Sequence, residues 1–243
     1  MTNDGSCGRD VVKLAIMQPY FFPYIGYFQL IAAVDMFIIY DNIKYTKKGW
    51  INRNRMLLNG KDVMFSLPLK KDSDFLDVVQ RQLASDFDRE KLLKQFKGAY
   101  GRAPYFEAVF PTLQNVLGYE DQNLFRYICN SIVGICAYLG ITTTIGIASE
   151  MDIDHRLKAQ QKVLALCEAA GANTYVNAIG GLDLYSRSEF AGRGIDLKFI
   201  KSTLFDYPQF EHPFVPWLSI IDVLMFNPRD VVRSRVLTSY EMV

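Results

Sequence analysis

Short apolar runs and helix-period segments alternate along the chain, and the first of them form one unit. Lys13–Met17 and Asp35–Tyr40 are apolar runs typical of buried strands in a parallel sheet. Between them, Gln18–Tyr24 is a loop with two prolines, and Ile25–Val34 carries its apolar positions on one side, as a helix does. The pattern predicts a β–loop–α–β unit, whose ligands would lie at the carboxyl ends of the strands.

A hairpin and a series of helices follow before the sheet pattern returns. Asn59-Gly60 lies between the apolar runs Met56–Leu58 and Val63–Leu69, which is a strong signal for a β-hairpin. Residues 74–140 carry helical periodicity throughout, and the predicted helices are Arg89–Tyr100, Pro104–Leu117 and Asp121–Leu139. The later elements are a strand over Thr142–Ile147, a helix over Leu157–Ala170, a strand around Thr174–Val176 and a strand over Ile195–Ile200.

Together these elements predict an α/β fold with a Rossmann-like parallel sheet, an inserted β-hairpin and a helical subregion. The length of 243 residues suits one large domain. We predict a disordered lead-in over residues 1–12 and a single α/β domain over residues 13–243, with the helical insertion around residues 74–140.

The amino-acid composition argues against several classes of binding partner, namely nucleic acids, membranes and metal ions. With 27 basic against 26 acidic residues, the chain lacks the basic excess that general binding of DNA, RNA or anionic membranes requires. Its apolar stretches are too short or too polar to span a bilayer and its N-terminus is not a secretory signal, so we expect a cytoplasmic protein. Four cysteines without metal-ligand spacing and two histidines predict no metal site.

The loop and helix start after the first strand hold the first candidate binding residues. Gln18 offers a donor and an acceptor where the sheet ends, and Gly26 would allow a ligand to approach the helix start closely. An apolar plug over the sheet edge is the alternative for the phenylalanines of this region. The other expected binding residues are Pro19, Tyr20, Tyr24 and, just past the second strand, Asp41, while Tyr27 is a candidate catalytic residue.

Residues 42–55 form a basic segment with interleaved aromatic and amide side chains. Its five cations in 14 residues can clamp a phosphate, and Trp50 can stack on a base or a sugar. A solvated charged loop is the alternative interpretation. The candidate binding residues in the segment are Lys44, Lys48, Trp50, Asn52, Arg53, Asn54 and Arg55.

Later segments add polar residues at strand ends and helix starts. His155 lies at the predicted start of a helix, where it would act as a general base or as a helix cap. Asp222 has apolar neighbours and needs a partner if it is buried, so it would be either catalytic or a structural tie to an Arg or Tyr. Further candidate binding residues are Asn177, Gly180, Gly181, Tyr207, Gln209 and Ser219.

The chain resembles the WbqC-like family at its opening, in the strings IMQPYFFPYIGYFQLI and DMFIIYDNIKYTKKGWINRNR. The later blocks NTYVNAIGGLDLY and YPQFEHPFVPWLSIIDVLMFN are also similar to that family. Its members are typically encoded with O-antigen and other surface-polysaccharide genes. The resemblance therefore implies a cytoplasmic protein of that pathway, in which enzymes act on nucleotide-linked sugars and often add small acyl groups to sugar amines.

The opening unit is also similar to that of the HUP-type nucleotidyltransferases, which include pantothenate synthetase. In those enzymes an H-x-G-H element at the helix start cradles ATP phosphates. Here Tyr24-Ile25-Gly26-Tyr27 occupies that place, with tyrosine at both histidine positions. Because tyrosine supplies no positive charge, cations between Lys44 and Arg55 would have to stabilise a reacting phosphate. The similarity implies a HUP-like sheet and ATP, with Mg²⁺, as the cofactor.

These resemblances imply a first hypothesis: an ATP-dependent, ligase-like enzyme joins the amine of a nucleotide-linked sugar to a small carboxylic or amino acid. Lys48, Arg53 and Arg55 would bind phosphates, and His155 or Asp222 would remove a proton from the amine. The second hypothesis is acyl or glycosyl transfer from an activated donor without ATP. The third is a nucleotide-sugar-binding protein without catalysis. A homo-oligomer is compatible with each of them.

Overall fold

The computed structural model describes residues 12–243, which form eight β-strands and eight α-helices. The strands are β1 (Lys13–Met17), β2 (Met36–Ile39), β3 (Arg53–Leu58), β4 (Lys61–Ser66), β5 (Thr144–Ile147), β6 (Thr174–Ala178), β7 (Asp196–Ser202) and β8 (Tyr240–Met242). The helices are α1 (Ile25–Ala32), α2 (Arg89–Tyr100), α3 (Phe106–Leu117), α4 (Leu124–Leu139), α5 (Ala159–Ala169), α6 (Arg187–Gly192), α7 (Ile220–Phe226) and α8 (Arg229–Thr238). The lead-in predicted for residues 1–12 lies outside the described residues, apart from Val12.

A six-stranded sheet with the order β5-β2-β1-β6-β7-β8 organises the fold. All neighbouring strands are parallel except β8, which pairs antiparallel with β7 at the edge. The chain starts with β1, adds β2 and β5 on one side, and then returns to add β6 and β7 on the other. The strand order therefore reverses between β1 and β6, which opens a crevice at their carboxyl ends. The predicted Rossmann-like α/β fold is confirmed.

The two faces of the sheet belong to two separate hydrophobic cores. Ala15 of β1 packs in the core that contains Phe28 of α1, whereas its neighbour Leu14 packs in the core that contains Leu164 of α5 and Phe190 of α6. This division follows from the two-residue period of a strand, which sends successive side chains to opposite faces. The helix between β1 and β2 and the helices after β5 and β6 thus cover opposite sides of the sheet.

The hairpin of β3 and β4 is separate from the main sheet and turns at Asn59-Gly60, as predicted. Both turn residues have positive φ, of 51° and 74°, which the tight turn requires. A Cβ at Gly60 would lie 2.7 Å from the ring of His212. Glycine therefore also allows this turn to pack against the segment that precedes α7.

Helices α2, α3 and α4 pack together beside the hairpin and form the predicted helical subregion. The expectation of helical structure throughout residues 74–140 is wrong for residues 74–88, which contain only a short 3₁₀ helix at Val78–Gln80. Asp77 and Gln80 close a capping box around this single turn. The flanking residues pair as isolated β-bridges with other segments, for example Lys44 with Asp77, so tertiary pairing replaces the helix.

The loop between β1 and α1 is held by two buried polar side chains from distant segments. Phe22 has a φ of 44°, which is unusual for a bulky residue. Its carbonyl accepts hydrogen bonds from Asn54 Nδ2 at 2.9 Å and from Ser219 Oγ at 2.8 Å. Asn54 also donates to the carbonyl of Phe21, at 3.3 Å, and accepts from the backbone N–H of Arg55. The hairpin and the start of α7 therefore fix the loop that borders the crevice.

Replacing Asn54 with alanine would remove the three hydrogen bonds of its side chain from a buried site, namely those with Phe21, Phe22 and Arg55. We expect Asn54→Ala to lower the free energy of unfolding by about 2 kcal/mol, measured by urea denaturation. Asn115→Ala, at an exposed position of α3, is the matched control and should change it by less than about 0.5 kcal/mol. Equal stability of the two variants would contradict the role that we assign to Asn54.

Candidate functional site

A cavity of about 530 Å³ lies at the carboxyl edge of the sheet, where the strand order reverses; we call it the sheet-edge cavity. Met17 at the end of β1, Ala178 at the end of β6 and residues 200–202 at the end of β7 form one side. The remaining lining comes from the loop before α1, from α1 itself and from segments beside the hairpin: Tyr20, Pro23, Tyr24, Gly26, Tyr27, Leu30, Trp50, Asn54, Arg55, Ile179 and Trp217. Open α/β sheets generally bind their ligands at this point.

The first turn of α1 comes unusually close to the end of β7. A Cβ at Gly26 would lie 2.6 Å from Ser202 Oγ, so glycine permits this approach. One residue further on, the Tyr27 hydroxyl donates a 2.9 Å hydrogen bond to the backbone carbonyl of Gln18. Burial raises the pKa of Tyr27 well above its ordinary value, with Tyr20 adding to the effect, so the phenol stays neutral. Tyr27 thus supports the loop and provides no charge.

Two tryptophans and an arginine form the rim of the sheet-edge cavity. Trp217 is 50% exposed and its ring centroid lies 5.1 Å from that of Tyr24. Trp50 is 42% exposed, and the Arg55 guanidinium lies 5.7 Å from its ring centroid. Arg55 also donates to the Trp217 carbonyl at 3.1 Å and pairs with Asp62 at 2.9 Å. These contacts hold aromatic faces at the opening, where a flat base or the C–H face of a sugar ring can stack.

The charged side chains that line the sheet-edge cavity are cations. Arg55 and Lys201 line it, and among the described residues no carboxylate does. The rest of the lining is mainly apolar or aromatic, with hydroxyl groups from Tyr20 and Ser202. A largely apolar wall with a few polar groups is typical of small-molecule sites, and the sign of the charge favours a ligand with an anionic group.

The structure brings part of the predicted site together in this lining, namely the candidate catalytic residue Tyr27 and the candidate binding residues Tyr20, Tyr24, Gly26, Trp50, Asn54 and Arg55. Gln18 and Pro19 lie beside it. Gln18 accepts the Tyr27 hydrogen bond through its backbone, and its side-chain Oε1 is 3.5 Å from the Tyr20 hydroxyl. The side chain of Gln18 therefore does not line the cavity, but it contacts Tyr20, which does.

The other cations of the basic segment lie elsewhere. Lys44 Nζ lies 4.7 Å from the ring centroid of Phe75, and Arg53 Nε donates a 2.9 Å hydrogen bond to the Gly49 carbonyl. Lys48 is exposed. None of these three side chains lines the sheet-edge cavity, so the phosphate role expected for them has no geometric support there. Asn52 lines a second cavity, on the other side of the same segment.

Asp41 and His155 lie beyond β2 and outside the sheet-edge cavity. Asp41 is completely buried and accepts hydrogen bonds from the backbone N–H and the hydroxyl of Ser149, at 2.9 and 2.6 Å, which ties β2 to the end of β5. His155 is not at a helix start, because α5 begins only at Ala159. It lies in an exposed loop, with Nδ1 3.0 Å from Asn42 Nδ2.

β6 leads directly into a 3₁₀ helix at Ile179–Leu184, and Asn177 lies within the strand, one residue before its end. Asn177 is buried, and its Oδ1 accepts a 2.8 Å hydrogen bond from the backbone N–H of Ala178. A Cβ at Gly181 would collide with the Asn177 amide, whereas Gly180 is exposed and open on all sides. Asn177, Gly180 and Gly181 thus lie next to the sheet-edge cavity, whose lining includes the neighbouring Ala178 and Ile179 instead.

The profile of the WbqC-like protein family matches residues 18–234. This chain belongs to the WbqC-like protein family. It is also 31% identical over 223 residues to Uncharacterized protein Rv1507c of Mycobacterium tuberculosis (strain ATCC 25618 / H37Rv), a match that covers 88% of this chain and 93% of the relative. No solved structure matches the chain. The resemblance found in the sequence is therefore confirmed at the level of the family.

Lys201, Ser202 and Trp217 line the cavity of this WbqC-like protein but were not among the predicted site residues. The first two directly follow the predicted strand Ile195–Ile200, so the rule that ligands bind at strand ends would have found them. Trp217 carries no such signal. It reaches the rim through a left-handed backbone, with a φ of 61°, and through its contact with Tyr24, which is distant in the sequence.

Two further observations concern residues 12–243 of the WbqC-like protein. No three of their His, Cys, Asp and Glu side chains are grouped as metal ligands. In the same part of the chain, no helix is long and apolar enough to cross a membrane.

Asp222, on α7 of the WbqC-like protein, lies in the core rather than in the cavity lining. Its carboxylate is completely buried and accepts hydrogen bonds from the Tyr207 hydroxyl at 2.7 Å, from Gln209 Nε2 at 2.6 Å and from the Tyr100 hydroxyl at 3.0 Å. Burial raises the pKa of Asp222 to about 6, although the three donors act in the opposite direction. Asp222, Tyr207 and Gln209 therefore form a structural tie, as does Ser219, which binds the Phe22 carbonyl.

The raised pKa makes stability depend on pH. Between the ordinary pKa of 3.8 and the folded-state value of about 6, the folded protein holds a proton on Asp222 that the unfolded chain has lost. The stability gained in this way is complete below the lower value and is lost as the pH rises through about 6. We expect the unfolding free energy of the native protein, relative to that of Asp222→Asn, to fall by about 2 kcal/mol between about pH 4 and pH 7.

Urea denaturation across this pH range would measure the difference. Asp183→Asn, at an exposed position, is the matched control, because it removes a carboxylate without touching the core. A constant difference between native protein and Asp222→Asn over the whole range would refute the coupling.

Proposed function

We propose that this WbqC-like protein is a cytoplasmic enzyme of surface-polysaccharide biosynthesis that acts on a nucleotide-linked amino sugar. The reaction would form an amide between the sugar amine and a small carboxylic or amino acid. The observation that carries the proposal is the sheet-edge cavity itself: it lies at the strand-order reversal and combines aromatic faces with cations. The association of the family with O-antigen genes supports the choice of substrate.

The cavity suits the parts of such a substrate. Its volume of about 530 Å³ is within the usual range for small-molecule sites. Trp50 and Trp217 offer faces on which a base or a sugar ring would stack, and Arg55 and Lys201 would bind the diphosphate. The apolar inner wall of Met17, Leu30 and Ile200 would exclude water from the acceptor end.

ATP fits this chain only in part. Arg55 and Lys201 can hold phosphate groups, but they are the same cations that would bind the diphosphate of the sugar, and the Ser202 hydroxyl occupies the space beside Gly26 at the helix start. Because no carboxylate lines the cavity among the described residues, Mg²⁺ would bind through phosphate oxygens and water. When bound, ATP would supply the activation of the acid's carboxyl group.

The residues of the chain would act mainly by binding and orientation. His155 and Asp222, the expected proton acceptors, lie outside the cavity lining. Burial raises the pKa of Tyr20, which makes its phenol a poor base at neutral pH. We therefore propose that the cavity holds the amine and the acyl group in contact and that solvent receives the released proton.

One observation favours the alternative of transfer from an already activated donor without ATP. Tyr24 and Tyr27 occupy the positions of the nucleotidyltransferase histidines, and burial raises the pKa of both, that of Tyr24 to about 12. Two neutral phenols provide no charge for a reacting phosphate. In the third candidate function, binding of a nucleotide sugar without catalysis, the ligand would occupy the same cavity. This candidate differs from the other two only because no product forms.

Product analysis separates these candidates. The protein is incubated with a dTDP-linked amino sugar, with glycine or another small acid, and with or without ATP, and new amides are detected by mass spectrometry. We expect an ATP-dependent amide, whose rate of formation falls about tenfold in Lys201→Gln through loss of a charged contact. Lys198→Gln, on the same strand but outside the lining, is the matched control.

The possible results are distinct. An amide formed only from an activated acyl donor supports the second candidate. Binding of nucleotide sugars without any product, across a broad panel of acids and activated donors, supports the third and excludes the enzyme.

Filling the cavity at Gly26 tests the location of binding. A nucleotide sugar at about 100 times its dissociation constant should stabilise the native protein by about 2.7 kcal/mol. Gly26→Leu places a side chain in the cavity, and we expect it to abolish most of this stabilisation. Gly26→Ala is the control, because only the hydroxyl of Ser202 must turn away from the new Cβ. Thermal denaturation with and without ligand measures this stabilisation in both variants. If Gly26→Leu were stabilised as much as the native protein, the nucleotide sugar would bind elsewhere.

A further inference from the structure

A second cavity of about 420 Å³ lies on the other side of the basic segment, and the proposed function does not use it. Tyr45, Lys47 and Asn52 of that segment line it, together with residues 66–72 at and after the end of β4, with Asp74 and with Arg81. We call it the arginine cavity. Its walls are mostly polar, in contrast to the apolar interior of the sheet-edge cavity.

Arg81 is a buried cation with unused donors. Only 4% of the residue is exposed. Its Nη2 donates a 2.8 Å hydrogen bond to the carbonyl of Ser73, and its buried Nε has no partner within the described part of the chain. A guanidinium carries five N–H donors, and buried donors are nearly always satisfied. Arg81 is therefore poorly explained as a purely structural residue.

The guanidinium is held in a fixed plane at the edge of the arginine cavity. It lies over the ring of Tyr45, 4.7 Å from the centroid. The Tyr45 hydroxyl donates to Asn52 Oδ1 at 2.8 Å, and Asn52 Nδ2 donates to the Leu67 carbonyl at 2.7 Å. This chain of contacts anchors the ring to the segment directly after β4. A stacked, immobile arginine is preorganised for bidentate contact with a planar or tetrahedral oxyanion.

Lysines add to the positive charge of the arginine cavity. Lys47, Lys70 and Lys71 line it with Arg81, against the two carboxylates Asp72 and Asp74. Lys47 and Asp74 neutralise each other through a 2.8 Å ion pair. Lys70 and Lys71 are exposed, and neither forms an ion pair within residues 12–243. Cations thus remain in excess at the opening.

We propose that the arginine cavity binds the phosphate or carboxylate group of a small anionic ligand. Arg81 makes the main contact, and Lys70 and Lys71 attract the ligand at the opening. This site is separate from the sheet-edge cavity and does not depend on the reaction proposed above. The basic segment thus contributes residues to both cavities.

Calorimetric titration of the full-length protein with inorganic phosphate and, separately, with acetate tests the site. We expect saturable binding of at least one anion, weakened about tenfold or more in Arg81→Gln through loss of charged hydrogen bonds. The better-bound anion identifies the group that the site recognises. Arg89→Gln is the matched control, since Arg89 also stacks on aromatic rings and also has an unpartnered Nε, but lies outside the arginine cavity.

A second variant keeps the test decisive if Arg81→Gln does not fold. Lys70→Gln with Lys71→Gln changes only exposed side chains and should weaken anion binding several-fold and reduce its dependence on salt. The Lys201→Gln variant of the sheet-edge cavity should bind the anion with unchanged affinity. Absence of binding to the native protein would overturn the proposal, and so would loss of binding in Lys201→Gln together with full binding in the lysine double variant.

Discussion

The hydrogen bonds to the carbonyl of Phe22 are the constraint on which the rest of the site depends. A left-handed backbone at a buried phenylalanine is unfavourable by itself, so surrounding contacts must hold it. Asn54 comes from the hairpin and Ser219 from the start of α7, and both donate to this one carbonyl. Three segments far apart in sequence are thereby joined at the carboxyl end of β1. The sheet-edge cavity lies between these same segments, so its shape follows from the junction.

The carboxylate of Asp222 joins α7 to two further parts of the fold. It accepts hydrogen bonds from Tyr100 of α2 and from Tyr207 and Gln209 of the segment before α7. The Tyr100 hydroxyl in turn accepts from the backbone N–H of Leu57 in the hairpin. Burial of a carboxylate is costly, and the three donors offset that cost only in part, as its raised pKa indicates. The same network fixes the chain that carries Trp217 to the rim.

The sequence predicts those parts of the structure that depend on local periodicity. The β1–α1–β2 unit, the Asn59-Gly60 hairpin and the cavity residues near Gly26 follow from strand period, turn chemistry and the position of strand ends. The extra helical structure predicted over residues 74–88 fails because β-bridges to distant segments replace helical hydrogen bonds there. The hydrogen-bond partners of Asn54 and Asp222 have no local signature, since all of them except the backbone N–H of Arg55 lie between 13 and 122 residues away in the chain. Their side chains signal only that a partner is needed.

The pair of tyrosines at the start of α1 shapes this WbqC-like site without adding charge to it. Tyr27 donates to the Gln18 carbonyl and Tyr24 packs against Trp217. Both residues therefore serve the shape of the cavity. Positive charge enters instead from Arg55 on the hairpin and Lys201 at the end of β7. Because Arg55 lies at the rim, phosphates bound by it would lie towards the opening, and the apolar interior would receive an uncharged part of the ligand.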